Sequence, residues 1–381
     1  MIYLDNAATS FPKPPPVLAA LKYCLNKIGA NPGRGQYKTA LAAGRLVVET
    51  RELLAGLLGV ANPADIVFTA NATESLNLAI KGWVRPGDTV VTTSIEHNSV
   101  YRPLAFLARK YGVKTITAKS LPDGGLDLKD LRRLVKKSTR LVVVAHASNV
   151  IGNILPLGDI VEITRKAGAP LLVDAAQTAG CIPLDIEAMG IDMLAFTGHK
   201  ALLGPQGTGG LYISPDLDVE ELKQGGTGSM SKEDQPKFRP DRYESGTMNT
   251  LGLAGLGAAV KFILDAGVKN ICSREQFMMT RLINGLEQVK GLAVFGPPAA
   301  GPRAALASVS MAGISAHQLA FLLDKRFDIA ARAGFHCAPV AHRAIGTYES
   351  GTLRLSPGYF STDDDIDAAI DALAQISHDL G

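Results

Sequence analysis

The chain has 381 residues, 46% of them hydrophobic and 20% charged, with 39 basic against 36 acidic side chains and a formal net charge of +3. That length supports one large core or, more readily, two domains, and so even a charge balance argues against a nucleic-acid or membrane surface. No apolar run reaches the ~20 residues that span a bilayer. The start, MIYLDNAATSFPKPPP, lacks the basic and apolar runs of a signal peptide, so a cytoplasmic protein is expected. The four cysteines, Cys24, Cys181, Cys272 and Cys337, form no CxxC pair, so neither a metal site nor a disulfide framework is expected.

Along the chain, short apolar runs at 65–71, 88–94, 114–119, 140–148, 170–177, 193–200 and 209–214 read as strands. Between them, 73–82, 99–111, 127–136 and 157–167 have helical length and periodicity. Strand alternating with helix predicts an α/β fold with a mostly parallel sheet covered on both faces. A Gly-rich loop around 223–240 breaks the pattern; helices are then predicted over 250–267, 277–290 and 363–380, the last with an acidic start suited to its dipole. The expected division is a large domain over 16–256 and a smaller one over 257–381 that includes the segment 1–15. Basic residues near 132–140 and 332–343 read as solvated faces, or else as a partner surface.

In such sheets ligands bind beyond the carboxyl ends of the strands, and four residue types stand there in order. Thr73 can cap a helix beginning at Glu74, where a hydroxyl and free backbone N–H groups would suit a phosphate. His97 follows the run 88–94 and could stack on a flat ring. Asp174 ends a wholly apolar run, where a carboxylate can keep a pyridine nitrogen protonated, with Gln177 one turn later. Lys200 comes 26 residues after Asp174, placed for a Schiff base to a carbonyl cofactor. Taken singly, Thr73 reads equally as a plain N-cap, Asp174 as a cap or ion-pair member, His97 as a satisfied core or surface group, and Lys200 as a strand-end lysine reaching solvent. Together they describe a site for pyridoxal 5'-phosphate (PLP).

From YLDNAATSFPKP through NATESLN, EHNS, ASNVIGN, DAAQTAG, TGHKALLGPQGTGG, YESGTMNT and RAGFHCAP to GTLRLSPGY, the chain resembles the class V aminotransferases, fold-type I PLP enzymes. Within them it is most similar to the cysteine desulfurases and selenocysteine lyases. The resemblance implies a large domain with a mostly parallel seven-stranded sheet and a smaller α/β C-terminal domain. It implies that Lys200 carries the cofactor, that Asp174 pairs with the pyridine nitrogen, that Gln177 meets the phenolic oxygen and that His97 stacks on the ring. Ala72, Thr73, Thr197 and His199 would hold the phosphate, with Thr247 reaching it from the partner subunit of a homodimer with shared sites. Asn149 and Arg354 would bind the substrate carboxylate, a task that suits a bidentate guanidinium; Asn31 and Arg332 lie in segments that resemble active-site loops.

Cys337 stands among Arg332, Phe335 and His336, and nearby positive groups favour a thiolate. Its segment matches the RxGHHC pattern of one desulfurase group, departing from it at Phe335. The reading is then L-cysteine converted to L-alanine with a persulfide on Cys337, passed to a sulfur-acceptor protein. A selenocysteine lyase acting on L-selenocysteine, a class V aminotransferase with no need of Cys337, and a PLP-fold carrier with little turnover are the alternatives. Cys24, Cys181 and Cys272 read as small buried hydrophobes.

Overall fold

In the computed structural model, residues 1–33, 35–121, 123–228 and 233–380 are described. After a short β1 (Ile2–Tyr3), the seven expected apolar runs become β2 (Ile66–Thr69), β3 (Thr89–Thr93), β4 (Lys114–Ala118), β5 (Thr139–Ala145), β6 (Leu171–Asp174), β7 (Met193–Thr197) and β8 (Gly209–Ile213) of one sheet. Their order is β2-β8-β7-β6-β5-β3-β4, as expected for a mostly parallel seven-stranded sheet. β8 alone runs antiparallel to both neighbours. The segment between β7 and β8 holds no helix, and a parallel return needs a longer crossover.

Successive residues of one strand enter opposite cores. Val142 and Val144 pack with Leu171, Val173 and Phe196 on one face, while Leu141 and Val143 pack with Leu172, Met193 and Ala195 on the other. Burial on both faces explains why these strands read as unbroken apolar runs. It also explains why they read too long. Ala175, just past β6, is as buried as the strand, packed under the loops at the sheet's carboxyl edge, so hydrophobicity does not mark where pairing stops.

A second, antiparallel sheet has the order β12-β13-β10-β9, from β9 (Leu292–Phe295), β10 (Ala307–Met311), β12 (Arg332–Gly334) and β13 (Thr352–Leu355). β11 (Ile329–Ala330) pairs in parallel with β1, tying the N-terminal segment to the C-terminal part. A third core, with Leu4, Met278, Leu282, Val309, Leu353 and Leu373, lies under this sheet. The helix Thr250–Ala266 packs through Leu253, Leu256, Val260 and Ile263 into the core of the large sheet, carrying that core past residue 257. It stops at Gly267, whose φ of 80° suits glycine, and the helix Val268–Leu286 starts at once. That helix begins earlier than the expected 277–290. Its apolar stripe includes a buried Glu275, which interrupts the periodicity of the first turns.

One buried ion pair braces the edge on which the site is built. Arg51, on the helix Lys38–Leu58, meets Glu244 through two parallel bonds of 2.7 and 2.9 Å, and Glu244 also accepts from the Phe68 N–H of β2 at 2.6 Å. The guanidinium covers the Phe68 ring at 4.3 Å. Removing one partner strands the other charge in the core. Glu244→Ala is therefore expected to lose about 3–5 kcal/mol of stability, read from urea unfolding, with Arg51→Ala losing a similar amount.

Candidate active site

Segments from many parts of the chain meet at the carboxyl edge of the large sheet. The first is the start of the helix Ala72–Trp83. Here the cap is Asn71 and not Thr73, because the Asn71 side chain accepts from the Glu74 N–H at 3.0 Å and the helix already begins at Ala72. Thr73 sits in the first turn, and its hydroxyl bonds the Ser99 hydroxyl at 2.7 Å. Asn71 comes this close to the sheet because Gly209 has no side chain: a Cβ there would lie 2.7 Å from the Asn71 Cα.

The second is the turn after β3. His97 caps the helix Asn98–Tyr111, its Nδ1 accepting from the Ser99 N–H at 3.0 Å and lying 2.9 Å from the Ser99 hydroxyl. Burial, with help from the charge of Lys200, pushes His97 down to about 4, so the ring it offers is neutral.

Asp174 is the last residue of β6 and Thr197 the last of β7, and Lys200 follows β7 in a turn. Asp174 is buried; its Oδ1 accepts from the Ala176 N–H at 2.9 Å, and burial raises its carboxyl pKa, with Lys200 opposing. Lys200 is pushed down to about 8, first by desolvation and then by Arg354, with Asp174 acting in the other direction. The lysine turn is held by the N-terminal segment: the His199 carbonyl accepts from the Ser10 N–H (2.9 Å), the Thr9 hydroxyl (3.1 Å) and Lys13 Nζ (3.0 Å). Gln177 donates to the Ala7 carbonyl at 3.1 Å.

Ala72, Thr73, His97, Asn149, Asp174, Gln177, Thr197, His199 and Lys200 thus line one cleft, together with Asn71 and Ser99. The cleft fits a planar carbonyl compound that bears a phosphate. It brings together a helix start, two hydroxyls and the His199 Nδ1, which is buried with no partner among the described residues. The same cleft holds a buried carboxylate and a half-buried amine of lowered basicity.

β13 and the loop after β12 form the rim. Arg354, on β13, gives Nη1 to the Asn149 carbonyl at 2.9 Å and Nη2 to Asp5 at 2.8 Å. Arg332 stands opposite it in the β12–β13 register and is exposed. Beyond β12 the chain turns through His336 (φ 49°) and Cys337 (φ 59°), two successive non-glycine residues in the left-handed region. Such a turn costs of order 1–3 kcal/mol per residue and persists only where neighbours hold it. Here the Asn149 amide donates to the His336 carbonyl (2.6 Å), the Asn98 N–H to the Cys337 carbonyl (2.8 Å) and the Ala338 N–H to the Phe335 carbonyl (2.9 Å). The His336 ring is fixed by Thr352, with Nε2 3.1 Å from its carbonyl. The backbone is clamped while the thiol is left exposed; Cys24 and Cys181 are buried and Cys272 partly so.

Asn31 and Thr247 lie elsewhere, in a broad groove with Tyr37, Arg51 and Glu244. Ser99, Asn71 and Asp5 are parts of the site that no single residue type announced. Their signal was position within the segments EHNS, NATESLN and YLDNAAT.

The class-V aminotransferase family model matches residues 2–369. The probable cysteine desulfurase of Methanothermobacter thermautotrophicus is 35% identical over 99% of this chain and 94% of its own length. That of Synechocystis is 34% identical over 98% of this chain and 90% of its own. Among solved structures, the cysteine desulfurase of Thermococcus onnurineus superposes with a TM-score of 0.90 at 31% identity, covering 99% of this chain and 95% of that one. The Escherichia coli cysteine desulfurase CsdA, in an S-sulfonic acid form, gives 0.89 at 28% identity, covering 100% and 95%.

The neutral, nucleophilic form of a lysine grows as pH rises through its pKa. Reductive methylation followed by mass spectrometry should therefore find Lys200 half-reactive near pH 8, well below an ordinary lysine at about 10.4. Asp174→Asn removes the opposing charge and should move that midpoint lower still.

Proposed function

The chain belongs to the class-V aminotransferase family, and on that premise we propose that it is a PLP-dependent cysteine desulfurase, turning L-cysteine into L-alanine and holding the sulfur as a persulfide on Cys337. The observation that carries this reading is an exposed thiol on a clamped backbone at the rim of a cleft lined by a half-buried lysine and a buried aspartate.

Thr73, Ser99, His199 and the first N–H groups of the helix Ala72–Trp83 would hold the phosphate of PLP, and Asp174 would face its ring nitrogen. When bound, PLP supplies an electron sink that stabilises negative charge developing at the substrate's Cα. His97, uncharged, would stack on the ring without competing with Asp174 for its proton. Lys200 takes the Cα proton at Nζ, a role suited to an amine whose pKa lies near the working pH. Arg354, oriented beforehand by Asp5 and the Asn149 carbonyl, receives the substrate carboxylate, with Arg332 adding positive charge beside it.

Cys337 thiolate then attacks the substrate sulfur. An S–S bond forms, the Cβ–S bond breaks, and its electron pair stays on Cβ, which takes up a proton to become a methyl group, while Lys200 returns its proton to Cα to complete L-alanine. The protein keeps the sulfur as Cys337–S–SH, ready for a sulfur-acceptor protein. The cleft itself does not distinguish sulfur from selenium, so L-selenocysteine belongs in the same test. We also propose a homodimer in which Thr247, exposed and outside its own subunit's cleft, completes the phosphate site of the other.

With L-cysteine and a thiol reductant, the loaded protein should release sulfide and alanine in equal amounts. Cys337→Ala should lower that release by about 10³-fold or more, and Lys200→Ala should abolish it. Selenide and alanine persisting in Cys337→Ala with negligible cysteine turnover would make the protein a selenocysteine lyase. Amino-acid to keto-acid exchange without alanine release would make it an aminotransferase.

A further inference from the structure

Behind the cleft floor sits an acid that none of these roles uses. Glu96 lies between β3 and His97 and is only 2% exposed. Its Oε1 accepts from the Thr93 hydroxyl at 2.5 Å and from the Ala145 N–H at 2.9 Å. Its Oε2 is equally buried and has no partner in hydrogen-bond geometry among the described residues. Ala145 is the register neighbour of Asp174 across β5 and β6, so the peptide that Glu96 grips stands beside the carboxylate of the site.

Two carboxylates sharing a dry strand end cannot both be charged without strong repulsion. Their surroundings decide which one ionises. Asp174 opens to the cleft and has Lys200 acting on it. Glu96 is met by a hydroxyl from the end of β3, an N–H from β5 and the like charge of Asp174 from β6. A negative charge spread onto an oxygen that no donor reaches is costly, whereas a neutral acid keeps Oε1 as the acceptor and carries its proton on Oε2. Burial accordingly pushes Glu96 up to about 8.

We propose that Glu96 is a positioning residue that keeps its proton at neutral pH, joining the end of β3 to the Ala145 peptide, leaving Asp174 as the only anion of the pair, and setting the stance of His97 over the cleft. The assignment rests on the desulfurase reading for its purpose, but the state of the proton can be tested without it.

The test is an infrared difference spectrum of purified protein without cofactor, wild type minus Glu96→Gln. At neutral pH the wild type should show the C=O stretch of a protonated carboxylic acid that the variant lacks, and the band should fade as pH rises through about 8. Absence of that band at neutral pH would overturn the proposal. With PLP added, Glu96→Leu, which strips the Ala145 N–H of its acceptor, should bind about tenfold more weakly, and Glu96→Gln, which restores a neutral acceptor, should return to within about twofold of wild type. If Glu96→Gln instead binds as poorly as Glu96→Leu, the carboxylate charge matters and the proposal fails. A wild type that takes up no PLP would sink the desulfurase reading, while the infrared band would still decide the protonation of Glu96.

Discussion

Asp174, buried, and Lys200, half-buried, are side chains of opposite charge at the ends of adjacent strands of one sheet, and much of the molecule is arranged so that both can remain there. An isolated carboxylate or ammonium in this position would neutralise or draw in water. Each is instead supported by the other, as the opposed effects on their basicities show. The result is an amine near neutrality beside an acid reserved for a cation. Such a pair is weak as a source of stability, so its place in the fold is best understood through the chemistry it allows.

The parallel sheet makes this arrangement reachable. Its strand ends face one way, so the turns after β2, β3, β5, β6 and β7 converge from distant parts of the chain. The N-terminal segment then closes over the lysine turn through Thr9, Ser10 and Lys13, while Asp5 holds Arg354 from the other end of the sequence. A continuous chain of contacts runs from Asp5 through Arg354 and Asn149 to His336, the neighbour of Cys337. The cysteine loop is therefore positioned by residues hundreds of positions away.

Phe335 shows what that loop does with the residue that departs from the RxGHHC pattern. Its ring lies edge-on to His342 at 5.4 Å and packs against Tyr348 at 5.6 Å, with Arg343 over the same tyrosine. His336 and His342 lie beneath, 5.8 Å apart, both kept neutral chiefly by burial. Where the pattern has an imidazole, the loop thus carries an aromatic cover, with two imidazoles below it.

Much of this was legible in the residues alone. Seven apolar runs became seven strands of one sheet because burial on both faces leaves a signal in composition, and Asp174, His97 and Lys200 could be placed because strand ends are where such sheets bind ligands. The start of the helix at Ala72 was not legible, since Asn71 and Thr73 are both good caps and only the approach permitted by Gly209 selects Asn71. Neither were the roles of Asn149 and Asp5 as struts for the cysteine loop and Arg354, nor the left-handed turn at His336 and Cys337. These depend on hydrogen bonds between residues far apart in the chain, and local sequence carries no record of which distant partner will arrive. The sequence by itself determined the residue types and the period of the strands; the tertiary structure decided which of those side chains meet, because burial and partners exist only once the sheets have packed.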